Sequence, residues 1–134
     1  MAWSKRSENG YTVAEETITL PSSSPVSYTS VIDWIKPGQD FIVLANAAET
    51  SLSEDTGVDV YVCDTSDGTF VKLKDDLIAE INDVTAVALY DVSSMGEAPY
   101  YKIATAPDGI QDSGDTIKFV VMTRTAYASR VAVG

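Results

Sequence analysis

Carboxylates are the chain's most abundant reactive groups: twenty Asp and Glu stand against nine Lys and Arg, with one cysteine and no histidine. Asp108-Gly109-Ile110-Gln111-Asp112-Ser113-Gly114-Asp115 places Asp108, Asp112 and Asp115 close together in sequence, and hard oxygen donors of this kind suit calcium. The alternate acidic positions and distant Glu of an EF-hand are missing. Gly and Asp are equally what a β-turn demands, since they tolerate left-handed backbone and form Asx turns; the turn is the preferred reading. Asp64, Asp67 and Gly68 read the same way. Two carboxylates flanking a cleft could serve as glycosidase acid and base, but among twenty acids some pair always falls at a suitable distance. With no histidine, His-based triads and bases are excluded, and a lone cysteine excludes intrachain disulfides and Cys-pair metal sites. Cys63, beside Asp64, reads as packing rather than as a nucleophile. The expectation is a protein without catalytic residues, cofactor or resident metal, and not an enzyme.

Aromatic side chains are the next candidates, because rings stack on sugars and anchor interfaces. Tyr28 and Trp34 share the strand parity of Val26 and Ile32, which assigns them to the core. Trp3 differs: it lies in a polar, charged stretch, Met1–Gly10, with no evident core to join. A tryptophan on such an arm is a natural anchor for a partner's pocket, and Lys5 and Arg6 beside it would add charge. Arg124 and Arg130 form a matching basic element at the other end. Trp3, Lys5, Arg6, Arg124 and Arg130 are therefore the candidate partner-binding residues.

These residues must be positioned by strands. Val, Ile and Thr number 15, 9 and 13, whereas leucine contributes only six; β-branched side chains lose freedom in helices and pack well on a pleated surface. Gly, Pro, Asn, Asp and Ser punctuate the chain about every 8 to 15 residues, as in sandwiches and barrels. Alternation predicts strands over 11–20, 26–35, 58–63, 69–74, 85–92, 100–105 and 116–124, with a further one over 127–133. The continuous apolar centre of 41–48 predicts a strand buried on both faces. Asp64–Gly68 is the strongest hairpin signal noted. Leu77, Ile78 and Ile81, at helical spacing behind acidic residues, predict one short helix within 75–83. The fold class that follows is all-β: an antiparallel, jelly-roll-like β-sandwich of eight or nine strands with at most one short helix. A chain of 134 residues is one domain, here an N-terminal arm, 1–10, and a sandwich, 11–134.

Charge sets further limits. Net charge is −11, which disfavours a free-standing nucleic-acid binder. Residues 37–116 hold sixteen acids and three bases, for −13, whereas 117–134 hold three bases and no acid. No apolar run approaches the roughly 20 residues of a membrane-spanning helix, and the start lacks the apolar segment of a signal peptide. The expectation is a protein made in a cytoplasm, with no membrane or nucleic-acid partner.

The polar arm Met1–Gly10, the Thr/Val/Asp-rich sandwich pattern, and Ala98-Pro99-Tyr100-Tyr101-Lys102-Ile103 with Asp108-Gly109 give the chain a general resemblance to the head decoration (capsid cement) proteins of tailed bacteriophages. That resemblance implies a β-rich protomer, often a homotrimer, seated on the outside of the capsid. Its partners would be the major capsid protein and itself, and its role to stabilise the shell. No motif allows residues to be carried over one by one. The alternatives are a carbohydrate- or ligand-binding module of a tail fibre or adhesin, and a tail or connector structural protein.

Overall fold

The computed structural model describes residues 3–20, 26–48, 52–109, 111–112 and 114–124. Nine strands occur among them: β1 (Ser4–Glu8), β2 (Tyr11–Thr19), β3 (Ser27–Tyr28), β4 (Phe41–Asn46), β5 (Thr56–Cys63), β6 (Val71–Ile81), β7 (Thr85–Tyr90), β8 (Tyr100–Pro107) and β9 (Thr116–Arg124). A four-residue helix, α1 (Val92–Met95), lies between β7 and β8. The strands form two antiparallel sheets, ordered β1-β2-β9-β4-β7 and β3-β8-β5-β6. With β1 set aside, β2 pairs β9, β3 pairs β8, β4 pairs β7 and β5 pairs β6. That nesting arises when one long hairpin, its tip at 64–70, is rolled until β4 meets β9 and β5 meets β8. It is a jelly roll.

Alternation supplies the core. Ala14 and Ile18 of β2, Phe41, Val43 and Ala45 of β4, and Ile117, Phe119 and Val121 of β9 face Val58 and Val60 of β5 and Tyr101 and Ile103 of β8. Phe41 stacks on Tyr90 at 4.7 Å, and Tyr101 stands edge-on to Phe41 at 5.1 Å. The hydroxyls remain satisfied: Tyr90 Oη donates to Gly96 O at 2.6 Å, and Tyr101 Oη accepts from Ala98 N at 3.1 Å. Burial pushes the Tyr90 phenol up to about 12.

Several expectations are corrected. The helix expected within 75–83 is the second half of β6. Its helical spacing arises from register shifts: Val60 pairs Lys74, Val58 pairs Ile78 and Thr56 pairs Ile81, so β6 advances faster than β5. Asp76, at φ 53°, lies in the first of these shifts, where four β6 residues oppose two of β5, and a second shift, with three opposing two, falls between Ile78 and Ile81, as bulges allow. Ile78 and Ile81 therefore both reach the core despite their odd spacing. Gly57 makes room, since a Cβ there would lie 2.8 Å from Asp76 Oδ1 and 2.9 Å from Ala79 O. The helix that does form, α1, is capped by Asp91, whose side chain accepts from Ser93 N. Of 26–35, only Ser27–Tyr28 is strand, with an isolated bridge from Ile32 to Tyr101. The stretch read as a polar arm contains β1, which joins β2 through the turn Asn9-Gly10, both at positive φ. The strand expected over 127–133 lies outside the described residues.

Candidate functional site

The outer face of the five-stranded sheet departs most from what a free jelly roll requires. Antiparallel sheets that meet water on one side alternate apolar-in with polar-out, and here the outward parity is apolar on three adjacent strands, β9, β4 and β7. The register aligns two rows: Val13, Met122, Ile42 and Leu89, then Glu15, Val120, Leu44 and Val87. Val87 is 62% exposed and Leu89 53%. Ile42, Leu44, Val120 and Met122 are half-buried by their neighbours, and Val13, opposite Arg6, is buried. β7 carries no charged residue from Thr85 to Tyr90 and, among the described residues, pairs only with β4. The other long edge strands, β1 and β6, carry several charges each, the usual protection of a sheet edge.

A polar rim borders this block. Lys118 Nζ lies 3.0 Å from Glu15 Oε1, Arg6 pairs with Glu15 Oε2, and Arg6 Nε lies 3.4 Å from Glu8. Hydrogen bonds from Lys118 and then Arg6 hold the Glu15 carboxyl below its ordinary range. Asn46 Oδ1 accepts from Thr85 Oγ1 at 3.0 Å. An apolar block flanked on its β1–β2 side by charges of both signs, and open at the β7 edge, has the composition of a protein interface.

The five candidate partner-binding residues do not converge. Trp3 is a core residue, 8% exposed; its Nε1 donates to Ser30 O at 2.9 Å and its ring stands edge-on to Trp34 at 5.6 Å. It is therefore no free anchor: pairing of β1 with β2 carries it over the edge of the core. Lys5 Nζ sits 4.6 Å from the Trp34 ring centroid, so Lys5 is likewise engaged within the chain. Arg6 belongs to the rim, and Arg124 closes β9 on the same outward parity, its carbonyl accepting from Gln39 Nε2 at 2.6 Å. Arg130 lies outside the described residues. Tyr28, assigned to the core from its parity, is 46% exposed on the outer side of the four-stranded sheet. It stands edge-on to Tyr61 at 5.1 Å, with Lys102 Nζ 5.6 Å from its centroid.

Nor do Asp108, Asp112 and Asp115 form one cluster. Asp115 accepts from Ser53 N at 3.0 Å and Ser53 Oγ at 2.7 Å, which lowers its pKa, while Asp112 N donates to the same Ser53 Oγ at 3.1 Å. Asp108 gathers instead with Asp55 and Glu80, and its hydrogen bond and charge raise the Glu80 pKa. A second group, Asp59, Asp75 and Asp76, is tied to structure. Buried Asp59 accepts from Asp76 N at 2.9 Å and lies 3.5 Å from Lys72 Nζ.

The outer face was missed in the sequence, though a signal was present. Phe41–Ala48 reads as buried on both faces, and Ala86–Tyr90 and Phe119–Met122 are also continuously apolar. Three adjacent strands with apolar residues on both parities need a cover on each side, and no described element covers the outer one.

No protein-family model matches the chain, and no curated protein matches it. Among solved structures, it is similar to a carbohydrate-binding module specific for non-crystalline cellulose, at 11% identity over 88% of this chain and 76% of that one, with a TM-score of 0.49. It is similar to a chain of tomato aspermy virus, at 11% identity over 91% and 81%, with a TM-score of 0.49. IMPa from Pseudomonas aeruginosa, solved with an O-glycopeptide, shares 14% identity over 84% of this chain, with a TM-score of 0.42; the chain spans 12% of its length.

Proposed function

We propose that this chain is a non-catalytic structural protein that assembles through the outer face of its five-stranded sheet. Its proposed place is the outside of a bacteriophage head, as a decoration protein on the major capsid protein. The observation that carries the assembly reading is the apolar block spanning β9, β4 and β7, with Val87 and Leu89 more than half exposed. Apolar area buried on docking contributes about 25 cal/mol per Å², so such a face is a source of association energy. The chemistry-bearing groups support a structural role: Asp59 and Asp115 hold backbone amides, and Glu15 holds two cations. Virion placement rests on the sequence resemblance to decoration proteins. The test is mass spectrometry of virions purified from the source cells. A copy number comparable with that of the major capsid protein supports the reading, and absence of the chain overturns it.

One observation favours a second reading, a carbohydrate-binding module: Tyr28 presents a half-exposed ring beside Lys102 and Tyr61, a surface on which a sugar could stack. Soluble oligosaccharides that quench tyrosine fluorescence in the wild type but not in Tyr28→Ala would select it.

A further inference from the structure

We infer that the outer face of the five-stranded sheet is the contact between two copies of this chain, packed sheet against sheet about a two-fold axis. This rests on reading that face as an association surface, and adds what occupies it.

Area is the first argument. The five strands contribute 5, 9, 9, 6 and 6 residues. At about 3.4 Å along and about 4.8 Å across the strands for each residue, the footprint is about 600 Å² per copy and about 1,200 Å² for a pair. Specific interfaces begin near 1,200 Å² in total. The face alone meets that requirement when its occupant has the same dimensions, as a second copy does. Its apolar rows are also of a kind that interdigitates between two sheet faces about 10 Å apart.

Charge is the second. On the outward parity of this sheet, Arg6, Lys118 and Arg124 stand against Glu8 and Glu15, for +1. The whole chain carries −11, which leaves −12 elsewhere. A second copy seated on any other surface sets acid against acid. Seated here, it opposes two nearly neutral faces and directs both acidic remainders outward. A two-fold contact of this kind is isologous, so each copy supplies the same patch and the assembly closes at two. The apolar groups run from Val120 and Met122 on the middle strand through Ile42 and Leu44 to Val87 and Leu89 on the edge strand β7, with no charge among them.

Salt dependence follows from the same ledger. The attraction is apolar and the opposing force is repulsion between the −12 remainders, so added salt screens the repulsion and tightens the pair. An interface held by ion pairs would respond in the opposite sense.

The experiment is sedimentation equilibrium of the full chain, from about 1 to about 200 µM, at about 0.1 and about 0.5 M NaCl. The expected result is a species of twice the 14.4 kDa protomer mass, dissociating in the micromolar range as interfaces of this size can, and tighter at the higher salt. Val87→Glu with Leu89→Glu places uncompensated charge on the most exposed part of the apolar block and weakens the pair about a hundredfold or more. Val87→Thr with Leu89→Thr, which puts a strand-favouring β-branched residue at both positions, produces a smaller loss in the same direction. Circular dichroism and the melting temperature of both variants show whether the fold survives, and the threonine pair keeps the test valid if the glutamate pair does not fold. A monomer at every concentration, a trimer, or a dimer that survives both substitutions overturns the inference. A wild-type monomer whose Val87 and Leu89 variants nonetheless leave purified virions would overturn the second copy while leaving the association face standing.

Discussion

Trp3→Ala tests the largest difference between the polar arm expected from sequence and the structure. The indole is 8% exposed, packs edge-on against Trp34 at 5.6 Å, and donates to Ser30 O at 2.9 Å. Truncation to alanine removes most of the ring's buried apolar surface, worth about 1.5–3 kcal/mol. The edge-to-face pair adds about 0.5–1.5 kcal/mol and the hydrogen bond about 0.5–1.5 kcal/mol. Ser30 O also accepts from Thr29 Oγ1 at 3.0 Å, so its carbonyl keeps a partner and the full penalty of an orphaned acceptor does not apply. The expected loss is about 3–5 kcal/mol, within the usual range for a buried tryptophan. For a domain of this size that corresponds to a fall in melting temperature of about 10–18 °C. Urea unfolding followed by circular dichroism measures the loss directly, with the midpoint moving at constant slope. Trp3→Phe keeps much of the packing and should recover more than half of it. A loss below about 1 kcal/mol for Trp3→Ala would mean that Trp3 is not part of the core. On that result β1 would indeed be a detachable arm.

Two other outcomes follow from named contacts. Gly57→Ala sets a Cβ 2.8 Å from Asp76 Oδ1 and 2.9 Å from the Ala79 carbonyl oxygen, forcing the β6 bulge to shift at a cost of about 1–3 kcal/mol; an unchanged urea midpoint would refute the close approach. The Glu80 pKa is raised by its hydrogen bond and charge contacts with Asp108, so its ionised form opposes folding above its unfolded pKa, and the neutral form does not below it. Glu80→Gln should therefore raise the melting temperature at pH 7 and leave it unchanged near pH 3, a gain that thermal scans at the two pH values would detect or exclude.

Much of the fold was legible because the side-chain period is local. Alternation in 11–19, 58–63, 100–105 and 116–124 locates β2, β5, β8 and β9, and the β-branched excess sets the class. β1 was legible too, through Asn9-Gly10, the dipeptide that supplies positive φ at both central positions of a two-residue hairpin. It escaped because Ser4–Glu8 has no apolar alternation: its only large apolar contribution is Trp3, which precedes it. The β6 irregularity could not be read, because successive register shifts against β5, one of them between Ile78 and Ile81, reset the parity and make a strand resemble a helix in its spacing.

The outer face of the five-stranded sheet marks the boundary between the two kinds of information. The sequence by itself determined that β4, β7 and β9 carry apolar residues on both parities, since composition along a strand is a one-dimensional property. That these strands lie side by side, align Ile42 with Leu89 and Met122, and turn one parity to solvent depends on pairings between residues about 50 to 80 positions apart in sequence. The same holds for Trp3 and Ser30, and for Glu15 between Arg6 and Lys118. Long-range register is set by the sum of many weak cross-strand contacts and by the closing of the core, none of which has a local sequence signature. The tertiary structure therefore decided which apolar residues became core and which became surface.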